Sequence, residues 1–313
     1  MLSIIIPVFN EEQNIVPVVQ KIIKAITILN RKFEVIFIND GSTDATAEEL
    51  AKAALKGPHI KVIHLRKNFG QTAAMMAGID YASGDIIIPM DGDLQNDPDD
   101  ISRLISKLDE GYDVVSGWRK DRKDNPLKRN LPSKLANFMI SFISGVRLKD
   151  YGCSLKVYRK DVIKGVKLYG EMHRFIPIYA SWLGAKVTEL PVIHHQRKFG
   201  VSKYGFNRTI KVILDLIVVK FLAKYQQKPI YIFGGVGFFF VSISFVCFCV
   251  MLILKYTHNI SFIQTPLPLL IVIFLGTGMQ SILMGLIAEI LNRTYHESQG
   301  KPTYLIKSTA NFN

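Results

Sequence analysis

The sequence predicts an α/β domain with a mostly parallel sheet, followed by a membrane-spanning appendage. Three observations support this prediction. Short apolar runs alternate with helical patterns through the first half of the chain. Polar clusters follow several of these runs, which is typical of the ligand-binding edge of a parallel sheet. Two uncharged apolar runs lie towards the C-terminus, and each is long enough to cross a bilayer.

The first half of the chain predicts five strands and four helices. Strands that alternate with helices imply βαβ units, in which the strands run parallel and helices cover the sheet. The predicted strands are Leu2–Pro7, Phe33–Asn39, Ile60–Leu65, Asp85–Met90 and Asp113–Gly117. The predicted helices are Ile15–Leu29, Ala45–Leu55, Thr72–Ala82 and Ile101–Glu110.

Two C-terminal runs predict a pair of membrane helices. Ile230–Leu254 contains no charged residue, and as a helix it would extend about 37 Å, enough to cross a hydrocarbon core of about 30 Å. Leu267–Ala288 is a second uncharged run of spanning length. The short link between the two runs contains only two basic residues, Lys255 and His258, whereas many basic residues lie on both outer flanks. The positive-inside rule then predicts that the large domain and both termini lie in the cytoplasm. The alternative, a pair of buried core helices, would be unusual for two such runs in tandem.

A basic amphipathic stretch lies between the globular domain and the first apolar run. Its charges fall close to helical spacing within Phe206–Lys224, and apolar residues fill the opposite side. It is either a core-packing helix or, as we expect, a helix at the membrane interface. The predicted regions are a globular domain over 1–205, a juxtamembrane amphipathic helix over 206–228, two membrane helices over 229–292 and a cytoplasmic tail over 293–313.

Composition narrows the class of partner. The 313 residues carry a formal net charge of +13, which favours an anionic membrane surface or phosphorylated substrates. The sequence has no zinc-finger spacing and no Lys-rich tail, so no nucleic-acid partner is predicted. Its three cysteines, Cys153, Cys247 and Cys249, do not suggest a disulfide framework and fit a reducing compartment.

Two carboxylates follow the predicted strand Asp85–Met90, in the sequence Asp91-Gly-Asp93. Carboxylates two positions apart at a strand end can face one hard cation, and Mg²⁺ or Mn²⁺ prefers oxygen ligands and usually keeps phosphate oxygens as partners. Gln95 can add a further oxygen. Solvated surface turns also contain this pattern, but the buried strand before it favours a metal site.

Two further polar clusters follow predicted strands. In the cluster Asn39–Asp44, a hydroxyl can cap the next helix, and an acidic side chain can accept hydrogen bonds from a base or ribose. In the cluster Pro7–Glu12, Asn10 can cap the helix that follows, and Glu11 can contact a nucleotide base.

In order and spacing, these motifs resemble those of glycosyltransferase family 2. The segments that carry the resemblance are Ile6–Glu12, Asp40–Asp44, Asn68–Gln71 and Met90–Pro98. They are most similar to the polyprenyl-phosphate branch, which includes dolichol-phosphate mannose synthases and bacterial enzymes that load glucose or modified arabinose onto undecaprenyl phosphate. The resemblance covers nearly the whole chain, including both apolar runs. It implies a GT-A-type fold, with a Rossmann-like and mostly parallel sheet.

The resemblance also assigns roles by motif match. Arg119 matches a Gly-x-Arg arginine that meets donor phosphates, and Asp150 matches an acidic position near the acceptor. The implied catalytic residues are Asp91, Asp93, Asp150 and Arg119. The implied nucleoside-binding residues are Pro7, Glu11 and Asp40, and the implied metal ligands are Asp91, Asp93 and Gln95. The basic segment that closes over phosphates is matched by Arg197, Ser202 and Lys203.

Two features qualify these assignments. Arg129 and Ser133 either grip the lipid phosphate or belong to a solvated basic face. Asn39 stands where many family members have a second aspartate, which leaves Asp40 to contact the base alone. The chain also lacks the Gln-x-x-Arg-Trp signature of processive polysaccharide synthases.

The implied reaction is transfer of a sugar from a nucleotide-sugar, with a UDP-sugar favoured, to undecaprenyl phosphate at the cytoplasmic membrane face. Mg²⁺ or Mn²⁺ would neutralise the leaving diphosphate. A lipid monophosphate is already anionic at pH 7, since its second pKa is about 6, so Asp150 is a positioning group or a base. We expect inversion, which gives a β-linked product. The alternatives are a GDP-mannose donor, a different lipid or glycan acceptor, and a non-catalytic membrane scaffold. Glycines in the spans are compatible with a homo-oligomer.

Overall fold

The computed structural model describes residues 1–120, 137–138, 140–141, 144–164, 172–196, 230–298 and 304–312. The chain divides into two compact units. One comprises Met1–Ile217 together with Pro302–Asn313, and the other comprises Val218–Lys301. The predicted juxtamembrane helix over 206–228 lies outside the described residues.

The first unit contains an eight-stranded sheet within its described residues, with strand order β7-β5-β6-β4-β1-β2-β3-β8. The strands are β1 (Leu2–Val8), β2 (Phe33–Asn39), β3 (Ile60–Leu65), β4 (Ile86–Pro89), β5 (Val114–Trp118), β6 (Lys156–Arg159), β7 (Val187–Pro191) and β8 (Ile306–Ala310). The helices are α1 (Glu12–Thr27), α2 (Thr46–Ala54), α3 (Gln71–Tyr81), α4 (Asp100–Asp109), α5 (Lys160–Ile163) and α6 (Ile176–Trp182). A 3₁₀ turn, Met172–Phe175, precedes α6.

The centre of the sheet is parallel. β1 pairs in parallel with β2 and with β4, and β2 pairs in parallel with β3. The register sets Val8 beside Asn39 and Ile5 beside Pro89, so β1, β2 and β4 all end at one edge of the sheet. Three of the predicted polar clusters therefore emerge side by side, at the edge where ligands of such sheets bind.

The core consists of the sheet and the helices that cover it. Ile4, Ile36 and Val35 are at most 1% exposed, which explains why the strands read as continuous apolar runs instead of alternating ones. In α1 the buried residues recur at helical spacing, with Ile15 and Ile22 fully buried. Each such side chain contributes about 1.5–3 kcal/mol by leaving water. The predicted α/β class, with its five strands and four helices, is confirmed.

Three strands were not predicted. β6 runs antiparallel between β4 and β5, β7 pairs in parallel with β5, and β8 pairs antiparallel with β3. The assignment of 293–313 to a tail is therefore corrected, because Ile306–Ala310 is an edge strand of the sheet. Beyond β8, the Asn311 side-chain amide donates to the carbonyl oxygens of Ala54 and Ile60 at 2.9 and 2.7 Å, which fixes this edge.

The second unit contains two long helices, α7 (Ile230–His258) and α8 (Leu267–Ser298). They pack closely at Gly237 and Gly278, since a Cβ added at Gly237 would lie 2.7 Å from the Gly278 carbonyl oxygen. Ser244 Oγ also donates to the Ile271 carbonyl oxygen at 3.0 Å. Phe233–His258 and Leu267–Ala288 are long and apolar enough to cross a membrane, and little of either is buried inside the protein. That exposure argues against the core-helix alternative.

Candidate active site

Hydrogen bonds join the loops that follow β1 and β2. The backbone N–H of Asp40 donates to the Val8 carbonyl oxygen at 2.9 Å. Asn10, with a positive φ of 53°, donates its backbone N–H to Ser42 Oγ at 2.9 Å, and its side-chain oxygen accepts from the Thr43 N–H at 2.8 Å. Asn10 therefore braces the neighbouring loop, and the first residue before α1 is Glu11. The residue before α2 is Ala45, and no side chain caps that helix. The expected capping roles of Asn10 and of Ser42 or Thr43 are therefore corrected.

The two other residues predicted to bind the nucleoside lie beside this brace. Pro7 is half-buried near the end of β1, where it pairs with Ile38. The Glu11 carboxylate accepts a hydrogen bond from the Asn14 side-chain amide at 2.6 Å, and the Glu11 backbone N–H donates to Thr46 Oγ1 at 2.9 Å. The structure thus brings Pro7 and Glu11 to the same edge of the sheet as Asp40.

Asp40 is buried and holds the loop between β3 and α3. Its two carboxylate oxygens accept the backbone N–H groups of Phe69 and Gly70 at 2.8 and 2.9 Å. Burial raises the pKa of Asp40, and these two hydrogen bonds oppose the shift without cancelling it. A carboxylate has about four acceptor positions, so two N–H donors leave capacity for a base or ribose.

Asp91 and Asp93 follow β4 in a tightly packed turn. A Cβ added at Gly92 would lie 2.8 Å from Val8 Cγ1, so a larger residue between the two carboxylates would have to displace the Val8 side chain. Asp93 Oδ1 accepts the Gln95 backbone N–H at 3.1 Å. Leu94 has a φ of +63°, a conformation that costs energy in a non-glycine residue and that is concentrated at functional sites.

The Asp91 carboxylate is held by neutral donors. Its Oδ1 accepts a hydrogen bond from Gln71 Nε2 at 2.7 Å, and the Ser154 hydroxyl bonds the same carboxylate. Burial raises the pKa of Asp91, and the adjacent Asp93 raises it further, while Ser154 and two arginines act in the opposite direction. A cation placed between the two carboxylates would relieve this repulsion.

These residues fit a hard divalent cation. Asp91 and Asp93 offer carboxylate oxygens, while the Gln95 side chain is held nearby, its amide nitrogen 3.5 Å from the His195 carbonyl oxygen. Among the described residues, no group of three or more His, Cys, Asp or Glu side chains is placed to hold a metal ion. Proteins usually bind Mg²⁺ through one or two carboxylates, and substrate phosphates complete the coordination of the ion.

Arg119 and Asp150 form a bidentate ion pair. Arg119 Nε and Nη2 donate to the two Asp150 oxygens at 2.7 and 2.9 Å, and the Gly152 N–H donates to the same carboxylate at 3.1 Å. Burial opposes the charge of Arg119, but the charge and hydrogen bonds of Asp150 leave the Arg119 pKa above its usual value. Both Asp150 oxygens therefore accept hydrogen bonds from Arg119, in a geometry that holds the guanidinium in place.

Sequence reasoning missed three members of the site. Gln71 and Ser154 contact Asp91, and the charge of Arg174 acts on the same carboxylate. Arg174 belongs to the turn Met172–Phe175. In the same turn, His173 Nδ1 and Thr72 Oγ1 are hydrogen-bonded at 2.7 Å. Gln71 and Ser154 both lie in segments matched to the family, Asn68–Gln71 and Asp150–Ser154, but the resemblance assigned a role to neither. The contact of Ser154 with Asp91 and the position of Arg174 depend on tertiary contacts that no local pattern reports.

Five predicted phosphate- or acceptor-binding residues lie outside the described residues. They are Arg129, Ser133, Arg197, Ser202 and Lys203.

The glycosyl transferase family 2 model matches residues 3–166. The chain belongs to glycosyltransferase family 2. It is 43% identical to the dodecaprenyl-phosphate galacturonate synthase of Rhizobium johnstonii, over 98% of this chain and 92% of that protein. It is 35% identical to the undecaprenyl-phosphate 4-deoxy-4-formamido-L-arabinose transferase of Klebsiella pneumoniae, with the same coverage. The resemblance to the polyprenyl-phosphate branch and the assignment as a glycosyltransferase are thereby confirmed.

A solved structure supports the fold of this family 2 enzyme. Glucosyl-3-phosphoglycerate synthase from Mycobacterium tuberculosis, crystallised with Mn²⁺, uridine-diphosphate-glucose and phosphoglyceric acid, superposes with a TM-score of 0.54. The alignment covers 70% of this chain and 79% of that one at 18% identity. At this level of identity the likeness shows the GT-A fold alone.

Proposed function

We propose that this family 2 enzyme transfers a sugar from a nucleotide-sugar, with a UDP-sugar favoured, to undecaprenyl phosphate at the cytoplasmic membrane face. The observation that carries the proposal is the Asp91/Asp93 turn at the ligand-binding edge, in a chain that also has two membrane-length helices. The names of its relatives support the acceptor class, since each combines a polyprenyl phosphate with a sugar.

The donor would lie across the carboxyl ends of β1, β2 and β4. We assign the nucleoside to Pro7, Glu11 and Asp40. A Mg²⁺ or Mn²⁺ ion held by Asp91, Asp93 and Gln95 would neutralise charge on the diphosphate as the glycosidic bond breaks. The M. tuberculosis structure, which contains Mn²⁺ and a uridine nucleotide, supports a divalent ion in this fold.

The acceptor phosphate is its own nucleophile. Its second pKa is about 6, so at pH 7 an oxygen of the lipid phosphate can attack the anomeric carbon without first losing a proton to the protein. The bond from that carbon to the diphosphate oxygen breaks, and the nucleoside diphosphate leaves. A single displacement inverts the anomeric centre and gives a β-linked product from an α-linked donor. The bidentate Arg119–Asp150 pair favours Asp150 as a positioning group.

We further propose that positive side chains stabilise the two phosphate groups while they approach each other. Arg119 is fixed for this role by Asp150. Arg197 and Lys203 would close over the donor phosphates with Ser202, and Arg129 with Ser133 would contact the lipid phosphate. Arginine suits bidentate phosphate contacts and lysine acts as a point charge.

The chain topology supports a membrane hairpin. Residues on both sides of the helix pair α7–α8 belong to the first unit, since β8 completes the sheet. Two crossings therefore return the chain to the side on which the catalytic domain lies. The excess of Lys and Arg on the outer flanks of the spans supports a cytoplasmic location for that side.

The decisive experiment offers undecaprenyl phosphate and a panel of nucleotide-sugars to the purified full chain, with mass spectrometry of the lipid. The panel includes nucleotide-linked glucose, mannose, N-acetylhexosamine, galacturonate and 4-deoxy-4-formamido-L-arabinose. We expect one metal-dependent lipid-phosphate sugar with a β linkage. Asp91→Asn should lower kcat by about 10²–10³-fold, whereas Asp109→Asn, which breaks only a surface ion pair with Arg31, should not.

Other outcomes would favour the alternatives. Product from GDP-mannose alone would reassign the donor. Transfer to diacylglycerol or a glycan, with no lipid-phosphate sugar, would reassign the acceptor. Full turnover in Asp91→Asn, or no turnover with any donor, would contradict the proposed site.

A further inference from the structure

A continuous set of hydrogen bonds links the ends of β2 and β4. Asp40, directly after β2, holds the backbone N–H groups of Phe69 and Gly70. The next residue, Gln71, is the first of α3, and its Nε2 donates to Asp91 Oδ1 at 2.7 Å, directly beyond β4. The loop before Gln71 is therefore fixed by Asp40, the residue assigned to the nucleoside. The Gln71 side chain in turn contacts Asp91, the residue assigned to the metal.

The helix that carries Gln71 is held rigidly. Residues Thr72–Ile79 of α3 are all buried. A Cβ added at Gly78 would lie 2.3 Å from Ile5 Cγ2 and 2.8 Å from Ile38 Cδ1, so the α3 backbone packs directly onto β1 and β2. A side chain at the first position of such a helix can hold a partner to within the tolerance that a catalytic site requires.

The chemical type of the hydrogen-bond donor to Asp91 matters as much as its position. A primary amide can orient a carboxylate and favour its ionised form without cancelling its charge. A lysine in this place would form an ion pair with Asp91 and compete with a cation for it. On its other side Asp91 meets a second neutral donor, the Ser154 hydroxyl, whose oxygen accepts from Asn96 Nδ2 at 2.8 Å so that its proton is directed at the carboxylate.

We propose that Gln71 is a positioning residue, which orients the Asp91 carboxylate for the divalent cation and the donor diphosphate. The inference rests on the proposed function of the same turn, and it adds a residue to which no role had been given. Gln71 would act through the carboxylate that it contacts, that of Asp91. Its loss should therefore weaken assembly of the metal–nucleotide complex and leave acceptor recognition unchanged.

The test measures binding of Mn²⁺ to the full chain in detergent, in the presence of UDP or GDP, by the loss of the free-ion electron paramagnetic resonance signal. The variant is Gln71→Met, which keeps the side-chain length and removes the donor. We expect the dissociation constant for Mn²⁺ to rise about 10-fold, as for loss of a hydrogen bond to a charged group. The KM for undecaprenyl phosphate should stay within about two-fold. Gln20→Met, on the exposed side of α1, is the matched control and should change neither value.

Each outcome is decisive. Unchanged Mn²⁺ affinity in Gln71→Met, or an equal change in Gln20→Met, would overturn the inference. If Gln71→Met does not fold, as judged by its thermal midpoint, Gln71→Ala is measured in its place with the same expectation, and loss of fold in both would assign Gln71 a structural role. Weakened Mn²⁺ binding without any lipid product would uphold the role of Gln71 while refuting the acceptor. Failure of the wild-type chain to bind Mn²⁺ with either nucleotide would refute the proposed metal site itself.

Discussion

The two halves of the candidate active site hold their carboxylates in different ways. In the half that we assign to the donor, built on β1, β2 and β4, Asp40 is held by backbone N–H groups and Asp91 by the Gln71 amide and a hydroxyl. In the half that we assign to the acceptor, which extends from the end of β5 to the start of β6, Asp150 is held by the guanidinium of Arg119. Both halves are largely buried, so the difference lies in the charge of the partner.

This difference bears on which half could bind a cation. Neutral hydrogen-bond donors orient a carboxylate without cancelling its charge, so an ionised Asp91 can still attract a cation. The ion pair offsets the charge of Asp150 and fixes the position of Arg119. We therefore expect the donor half to bind a divalent ion and the acceptor half to bind an anion. Three predictions would break or sharpen this contrast.

The largest expected effect is the loss of stability in Asp150→Ala. Removing one partner of a buried ion pair leaves Arg119, whose side chain is 14% exposed, without its counter-charge, which costs about 3–5 kcal/mol. Asp91→Ala should cost much less, because the donors that it leaves are neutral and the repulsion from Asp93 disappears. Thermal unfolding of the purified chain in detergent measures both losses.

The double variant Arg119→Met/Asp150→Leu provides the control for that measurement. It removes both charges, so it should regain most of the stability that Asp150→Ala loses, although turnover should remain absent. Equal destabilisation by Asp150→Ala and Asp91→Ala would show that the two halves do not differ in the way the hydrogen bonds indicate.

An intermediate effect is expected for Gly92→Ala in the donor half. The added methyl would lie 2.8 Å from Val8 Cγ1 and 3.3 Å from Ile6 Cγ2, and overpacking of this kind costs about 1–3 kcal/mol. The displaced turn should also weaken metal binding. In a double-mutant cycle, Val8→Ala should offset part of the loss, since it makes room for the methyl. Additive losses in the cycle would show that the turn does not depend on contact with β1.

The donor half could be predicted from the sequence, whereas much of the acceptor half could not. β1, β2 and β4 are largely apolar runs buried on both faces, and Asp91 with Asp93 stands directly at a strand exit, so the local pattern was enough. β6, in the acceptor half, contains Lys156 and Arg159 and has no apolar run. The mostly polar β8, at the other edge of the sheet beside β3, was missed for the same reason. Their pairing depends on strands distant in the sequence, as does the contact of Ser154 with Asp91.

The smallest effect concerns Lys156, a lysine buried in the acceptor half. It is 3% exposed, and its Nζ donates to the Tyr151 carbonyl oxygen at 3.1 Å, in the loop that carries Asp150. Burial lowers the pKa of Lys156 from 10.5 to about 8, although Cys153 and Asp150 partly oppose the shift. Between about pH 8 and pH 10.5 the unfolded chain therefore binds more protons at this site than the folded chain does.

The sign of the pH effect follows from that difference in proton binding. Below pH 8 the lysine is charged in both states, and the full cost of burying the charge is present. As the pH rises above 8, the folded state loses the proton and the cost declines, so the stability of the wild-type chain should rise relative to Lys156→Met. From pH 8 to pH 9.5 we expect a relative gain of about 1–2 kcal/mol, at about 1.4 kcal/mol per pH unit at most. Thermal unfolding of both chains over this range measures it. A stability difference that does not vary with pH would mean that burial does not lower the pKa of Lys156. The acceptor half would then be less shielded from water than the burial of Lys156 indicates.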